Sequence, residues 1–311
     1  MLSPKYVALF VSILLYTNVS SQSLAERLGY NEDDKLLIIH ADDLGVSHSE
    51  NIASFLAMKA GSVNSASVMM PTPWVEEVAA FKREYPEADL GLHLTLTAEW
   101  EYLKWRPLAP TEQSRTLVND KGYFYDNCLD FGKKADPEEA AAEIRAQIEL
   151  ALKLGIQPTH LDTHMGCLVF NTPELFEKYL ALGREYKIPV MVSRLFLQAA
   201  SPAFKEKMTD KDLVLEDVHM ASPQDYESGM AAYYEKTLNN LGSGVNLLLL
   251  HAGLNNAEMQ AMTVNHPEYG ADWRQQDFDF FTSAKCAQLI KDNNIKLVTY
   301  SQIQKMMYPD K

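Results

Sequence analysis

Short apolar runs, each about the length of one strand, alternate along this chain with longer amphipathic segments. The run Leu36–Ala41 (LLIIHA) is continuously apolar but for His40, as expected of a strand covered on both faces. Further strand candidates occur at Val63–Met70, Leu90–Leu96, Thr159–His164, Pro189–Ser193, Leu213–His219, Val245–His251 and Ile295–Tyr300. Between them, Ser49–Ala60, Pro73–Glu84, Pro173–Tyr186, Asp225–Leu241 and Asp277–Lys291 read as helices. A longer helix opens at Asp136-Pro137-Glu138-Glu139 and stops near Gly155, with cap and stop residues in place. Strands spaced beyond hairpin reach and joined by helices argue for a parallel sheet. Seven or eight of them suffice to close a distorted β/α barrel, an α/β fold with its site at the C-terminal ends of the strands. The exception to the rhythm is 99–134, a connection long enough to suggest a binding edge.

The N-terminus is set aside from that fold. Lys5 is the only charge before Glu26, and it precedes the apolar run Val7–Tyr16 and then small polar residues. Residues 1–23 therefore read as a secretory signal peptide, and 24–311 as one domain in an exported, periplasmic or secreted protein. The apolar run is too short for a membrane anchor, which needs about 20 residues. The net charge of −14 argues against nucleic acid or anionic lipid as partner. The three cysteines, Cys128, Cys167 and Cys286, match no zinc-binding spacing and read as small buried hydrophobes, with one disulfide left open.

Chemistry concentrates at the ends of the strand-like runs. Asp42 and Asp43 follow LLIIHA; His93 lies late in GLHLTL; His160, Asp162 and His164 share THLDTH; His251 ends VNLLLLH. Each has a plain alternative, since Asp-Asp near Gly45 suits a turn and a strand histidine is commonly a core residue. Their shared placement is more telling, because all strand C-termini of a parallel barrel open on one face. The period-two spacing puts His160, Asp162 and His164 on one side of their strand. Two imidazoles with a carboxylate suit Zn²⁺ or another divalent ion and leave room for water and substrate oxygen.

The segments HADDLGVS, GLHLTLT, PTHLDTHMG and LLLLHAG, in this order, resemble the signatures of the YdjC-like carbohydrate deacetylases, the family of chitooligosaccharide deacetylase. DFDFFTS looks like the family's closing portion. The resemblance runs from about Leu36 to Tyr300 and implies removal of an N-acetyl group from an amino sugar or oligosaccharide. It implies one divalent ion, Mg²⁺ or Zn²⁺, on Asp43, His93 and His164. Asp42 resembles the general base and His251 the acid that protonates the leaving amine. His160 and Asp162 would be inward-facing supports orienting His164. The family often carries further histidines after this motif, whereas Met165, Gly166 and Cys167 stand here, so the sugar-facing rim differs. Trp100, Tyr102, Trp105, Tyr269 and Trp273 are candidates for stacking on sugar rings. Two other readings are a metal-dependent sugar isomerase or lyase on the same barrel, and an exported glycan-binding protein without turnover.

Overall fold

The computed structural model describes residues 22–209 and 211–311, so the expected leader lies outside the described residues except for Gln22 and Ser23. Seven parallel strands form one sheet: β1 (Lys35–Leu44), β2 (Ser65–Val68), β3 (Leu90–Leu94), β4 (Leu161–Thr163), β5 (Asp217–Met220), β6 (Gly244–Leu250) and β7 (Lys296–Leu297). Their order is β4-β3-β2-β1-β6-β5, with β7 paired to the lower part of β1. The segment 189–193 bridges the two edges. Leu161 pairs with Val190 and Ser193 with Leu215, both in parallel, so a distorted barrel closes through single bridges.

Alternation along each strand separates two cores. Leu36 and Ile38 of β1 and Val245, Leu247 and Leu249 of β6 point into the barrel, where Leu213, Leu215 and Tyr300 join them. Leu37, Ile39, Leu248 and Leu250 point outward against the helices. Both faces are thus covered, which is why these runs lack polar alternation.

The helices form where expected, at His48–Ala60, Val75–Glu84, Pro137–Lys153 and Pro173–Tyr186, the first capped by Ser47 and the third by Asp136. Two expected helices are each broken in two. Gly229, at φ 108°, divides Pro223–Ser228 from Met230–Asn239, and Ser283 starts Ala284–Asp292 after Ala271–Phe281. Such punctuation is hard to see inside a continuous apolar period. The long connection after β3 contains only two 3₁₀ turns and the helix Cys128–Lys134. It is pinned at its far end by a disulfide, Cys128–Cys167, to the helix Cys167–Phe170 that follows β4. The reading of all three cysteines as plain hydrophobes holds only for buried Cys286. Among the described residues, no helix is long and apolar enough to cross a membrane.

Candidate active site

The C-terminal end of β1 breaks its own pattern. In a regular strand Asp42 and Asp43 would point to opposite faces. The pairing of β1 with β2 slips between Ala41 and Leu44, and Asp43 takes a left-handed backbone, φ 68°. Aspartate tolerates that conformation better than most residues, though at a cost of about 1–3 kcal/mol. The result is that both carboxylates reach the barrel mouth.

Asp43 Oδ1 lies 3.4 Å from His93 Nε2 and 3.5 Å from His164 Nδ1, all three side chains being buried. This oxygen has no hydrogen-bond partner. A buried, unpartnered carboxylate oxygen is costly and needs an explanation, and two convergent imidazole nitrogens beside it point to a cation. The outer atoms of the same groups are all tied down. His93 Nδ1 meets Asp162 Oδ1 at 2.7 Å, and His164 Nε2 meets Glu99 Oε2 at 2.9 Å. Arg274 donates to Asp43 Oδ2 at 2.7 Å and to Glu50 Oε2 at 2.8 Å. With each outer nitrogen held by a carboxylate, a cation at this point would meet the inner nitrogens as lone-pair donors. Without one, burial is outweighed by the surrounding carboxylates, which raise the pKa of both imidazoles.

Asp42 stands beside this triad. Its Oδ1 accepts from Ser67 at 3.3 Å and lies 3.1 Å from His40 Nε2, leaving Oδ2 facing His251 Nε2 across 3.8 Å. The backbone N–H of His251 donates to Asp277 Oδ2 at 2.9 Å, which fixes the main chain at this strand end. Burial pushes the His251 pKa down to about 4, so its imidazole is neutral at pH 7.

The structure brings Asp42, Asp43, His93, His164 and His251 to one cleft and puts the supports elsewhere than expected. Asp162 reaches His93, not His164. His160 stacks on Tyr300 with ring centroids 3.8 Å apart, and its Nε2 stays 3.6 Å from Asp162 Oδ2. Strand geometry explains this: Asp162 is in register with His93 on the neighbouring strand, whereas His164 lies past the end of β4. Gly91 is required beneath them, because a Cβ there would sit 2.3 Å from the His160 ring. The aromatics also divide. Trp100 and Tyr269 line the cleft. Trp105 is buried and donates to the Thr97 carbonyl, Trp273 is buried between Tyr226 and Tyr269, and Tyr102 is exposed away from the cleft.

Sequence reasoning missed Glu99, Arg274 and His40. His40 was visible in HADD, immediately inward of Asp42. Glu99 and Arg274 sit in segments whose local pattern carries no hint of where they reach.

His40 is fully buried, with Nε2 between Asp42 Oδ1 and Asp162 Oδ2 (2.9 Å) and Nδ1 3.0 Å from Ser65 Oγ. The rings of His160 and Tyr300 pack edge-on against it. Burial alone would lower its pKa, but the Asp162 and Asp42 carboxylates outweigh burial and raise it to about 10. Below about pH 6.5 folded and unfolded chains are both protonated there, and the ion pairs stabilise fully. Above that, only the folded chain holds the proton, and the stabilisation drains away as pH approaches about 10. Melting temperatures of metal-free protein should therefore fall from pH 7 to 10, with a shallower slope in His40→Gln. Parallel slopes would show that His40 is not the group responsible.

Residues 36–292 match the model of the YdjC-like protein family. The chain belongs to the YdjC-like family. A carbohydrate deacetylase from Thermus thermophilus is 32% identical over 263 residues, covering 83% of this chain and 89% of the relative. A chitooligosaccharide deacetylase from Yersinia pestis is 28% identical over 52% of this chain and 60% of its own length. The crystal structure of a proposed cellobiose-phosphate cleavage protein from Enterococcus faecalis superposes with a TM-score of 0.73 at 25% identity. It covers 87% of this chain and 99% of that one. The family match begins at β1 and ends with the helix Ala284–Asp292, so it spans every residue of the cluster.

Proposed function

We propose that this YdjC-like chain is a metal-dependent carbohydrate deacetylase, hydrolysing the N-acetyl group of an amino sugar or oligosaccharide to acetate and free amine. The observation that carries this reading is the unpartnered Asp43 Oδ1 facing the inner nitrogens of His93 and His164, with Asp42 alongside. That donor set fits one divalent ion, Zn²⁺ or Mg²⁺, held by Asp43, His93 and His164. A bound ion would polarise the amide carbonyl and make water more acidic. The names of the relatives support the substrate class.

The protein groups divide the proton work. Asp42 Oδ2, free of strong partners, takes a proton from the attacking water. Ser67 and His40 hold the other oxygen and fix the carboxylate's direction. Water oxygen bonds to the acyl carbon, the C–N bond breaks, and the nitrogen gains a proton. His251, neutral at rest, can supply that proton only after receiving one, and Asp42 is 3.8 Å away. Asp42 and His251 thus act in sequence on a single proton. Glu99 fixes the His164 ring through Nε2, so Glu99→Gln should weaken divalent-ion affinity about 10–100-fold. Competition against a chromogenic chelator would read this, and unchanged affinity would remove Glu99 from the site.

Export through the 1–23 leader belongs to the same proposal, and the Cys128–Cys167 disulfide supports it because such bonds persist in oxidising compartments. The net charge of −14 speaks against nucleic acid as a partner. An isomerase or lyase would gather more carboxylates around the ion, and a pure binding protein has no use for Asp42. Acetate release from N-acetylated oligosaccharides, with and without chelator, separates the three readings. Sugar rearrangement without acetate, or binding without turnover, would each displace the deacetylase.

A further inference from the structure

The cleft above the cluster has a volume of about 1000 Å³ and two unlike sectors. Its catalytic sector comes from β1, β3 and β4, whose inward side chains are His40, Asp42, His93 and Asp162. The opposite sector comes from the segment 189–193, β5 and β6, and its wall is Met191, Val218, Met220 and Leu249, with Phe170 and Phe196 above them. Among the lining residues of that sector, Ser193 is the polar exception beside these apolar side chains. Met220 is 47% and Phe170 70% exposed, so the outer part of this apolar surface faces water in the cleft, while Leu249, Met191 and Val218 pack at the top of the barrel core and line the cleft from there.

Depth decides what this surface faces. Leu249 is in register with His40 on one side and Met220 on the other. It lies one inward-facing layer deeper than His251, as His40 lies one layer deeper than Asp42. A sugar entering from solvent presents its amide to Asp42 and His251 at the mouth. What continues past the carbonyl, deeper into the barrel, is the acyl group. An acetyl methyl would cover only a small part of the wall. The charges agree that the group lodged there is uncharged. Arg274 is the one Lys or Arg lining the cleft among the described residues, and its arms are taken by Asp43 and Glu50. An anionic substituent would meet Asp42, Glu99, Asp126 and Glu268 without a free cation.

Resting on the deacetylase reading, we propose that the site is an N-deacylase for amino sugars bearing acyl chains longer than acetyl, the chain lying on Met191, Val218, Met220 and Leu249. The reaction keeps its balance whatever the chain length: water oxygen joins the acyl carbon, the C–N bond breaks, and carboxylate and free amine leave.

The test is a chain-length series on the full chain supplied with divalent ion, using N-acetyl, N-butyryl and N-hexanoyl glucosamine disaccharides. Each buried methylene should raise kcat/KM roughly three- to fourfold, so butyryl should exceed acetyl by about tenfold and hexanoyl exceed butyryl similarly. Val218→Phe, which fills the floor, should lower the hexanoyl-to-acetyl ratio at least about tenfold. Met220→Ser, at an exposed position that folding tolerates, should lower the same ratio severalfold. Acid release (acetate, butyrate, hexanoate) whose kcat/KM stays level or falls with chain length overturns the proposal and leaves the deacetylase reading intact. A gain from a hexyl glycoside of the N-acetyl sugar, with none from the hexanoyl amide, would assign the wall to the aglycone and also overturn it. Failure to release acid from any of the three overturns the deacetylase reading itself.

Discussion

Replacing Asp43, His93 or His164 singly by Ala is expected to strip the protein of its divalent ion and lower deacetylation about 10³-fold. Two arguments set that size. The three atoms that converge lie within 4.8 Å of one another, so each single replacement leaves two donors at that point, and His93 is shared with a second such group that includes Asp42 and Asp162. Ion-assisted polarisation of a carbonyl contributes several kcal/mol, and each 1.36 kcal/mol is a factor of ten in rate. The variants differ in their side effects. His93→Ala leaves Asp162 Oδ1 without its 2.7 Å partner, and His164→Ala does the same to Glu99 Oε2. Asp43→Ala leaves Arg274 with Glu50 as its one carboxylate partner, beside the Tyr269 carbonyl. Elemental analysis of purified protein, beside a thermal melt, separates lost metal from lost fold. If His93→Ala and His164→Ala retain stoichiometric metal, the site is misassigned.

Asp42→Asn should behave differently. The amide is isosteric and can still meet Ser67 and His40, so fold and metal content should stay close to wild type. Turnover should fall about 10²–10⁴-fold, the usual contribution of a positioned base, with KM little changed. The separation between the two results carries the assignment of roles. Loss of metal in Asp42→Asn would make Asp42 a ligand, and full turnover would leave the water without its proposed base.

These expectations rest on residues that were legible to very different degrees. The strand-like runs matched every strand of the sheet, most plainly the apolar ones such as β1 and β6, because a strand covered on both faces can hold little else, while the run at Pro189–Ser193 forms only single bridges. Strand ends then placed Asp42, Asp43, His93, His164 and His251 at one mouth, since parallel strands share a polarity. The sequence did not reveal that Asp43 adopts φ 68°, without which the two aspartates would point to opposite faces. Nor did the period distinguish a continuous helix from the pairs split at Gly229 and Ser283.

The supporting contacts divide along the same line. Asp162 supports His93 because they are in register across two strands 69 positions apart, which spacing within THLDTH cannot express. Glu99 meets His164 from the long connection, and Arg274 meets Asp43 from a distant helix, at separations of 65 and 231 positions. By itself, then, the sequence determined the barrel, the end of it that works and the residues offered there, because periodicity and strand polarity are local properties repeated along the chain. Only the tertiary structure decided which nitrogen faces inward, which carboxylate holds it there, and that one sector of the mouth is apolar. Those depend on register and closure, where residues far apart in sequence meet at distances no local pattern encodes.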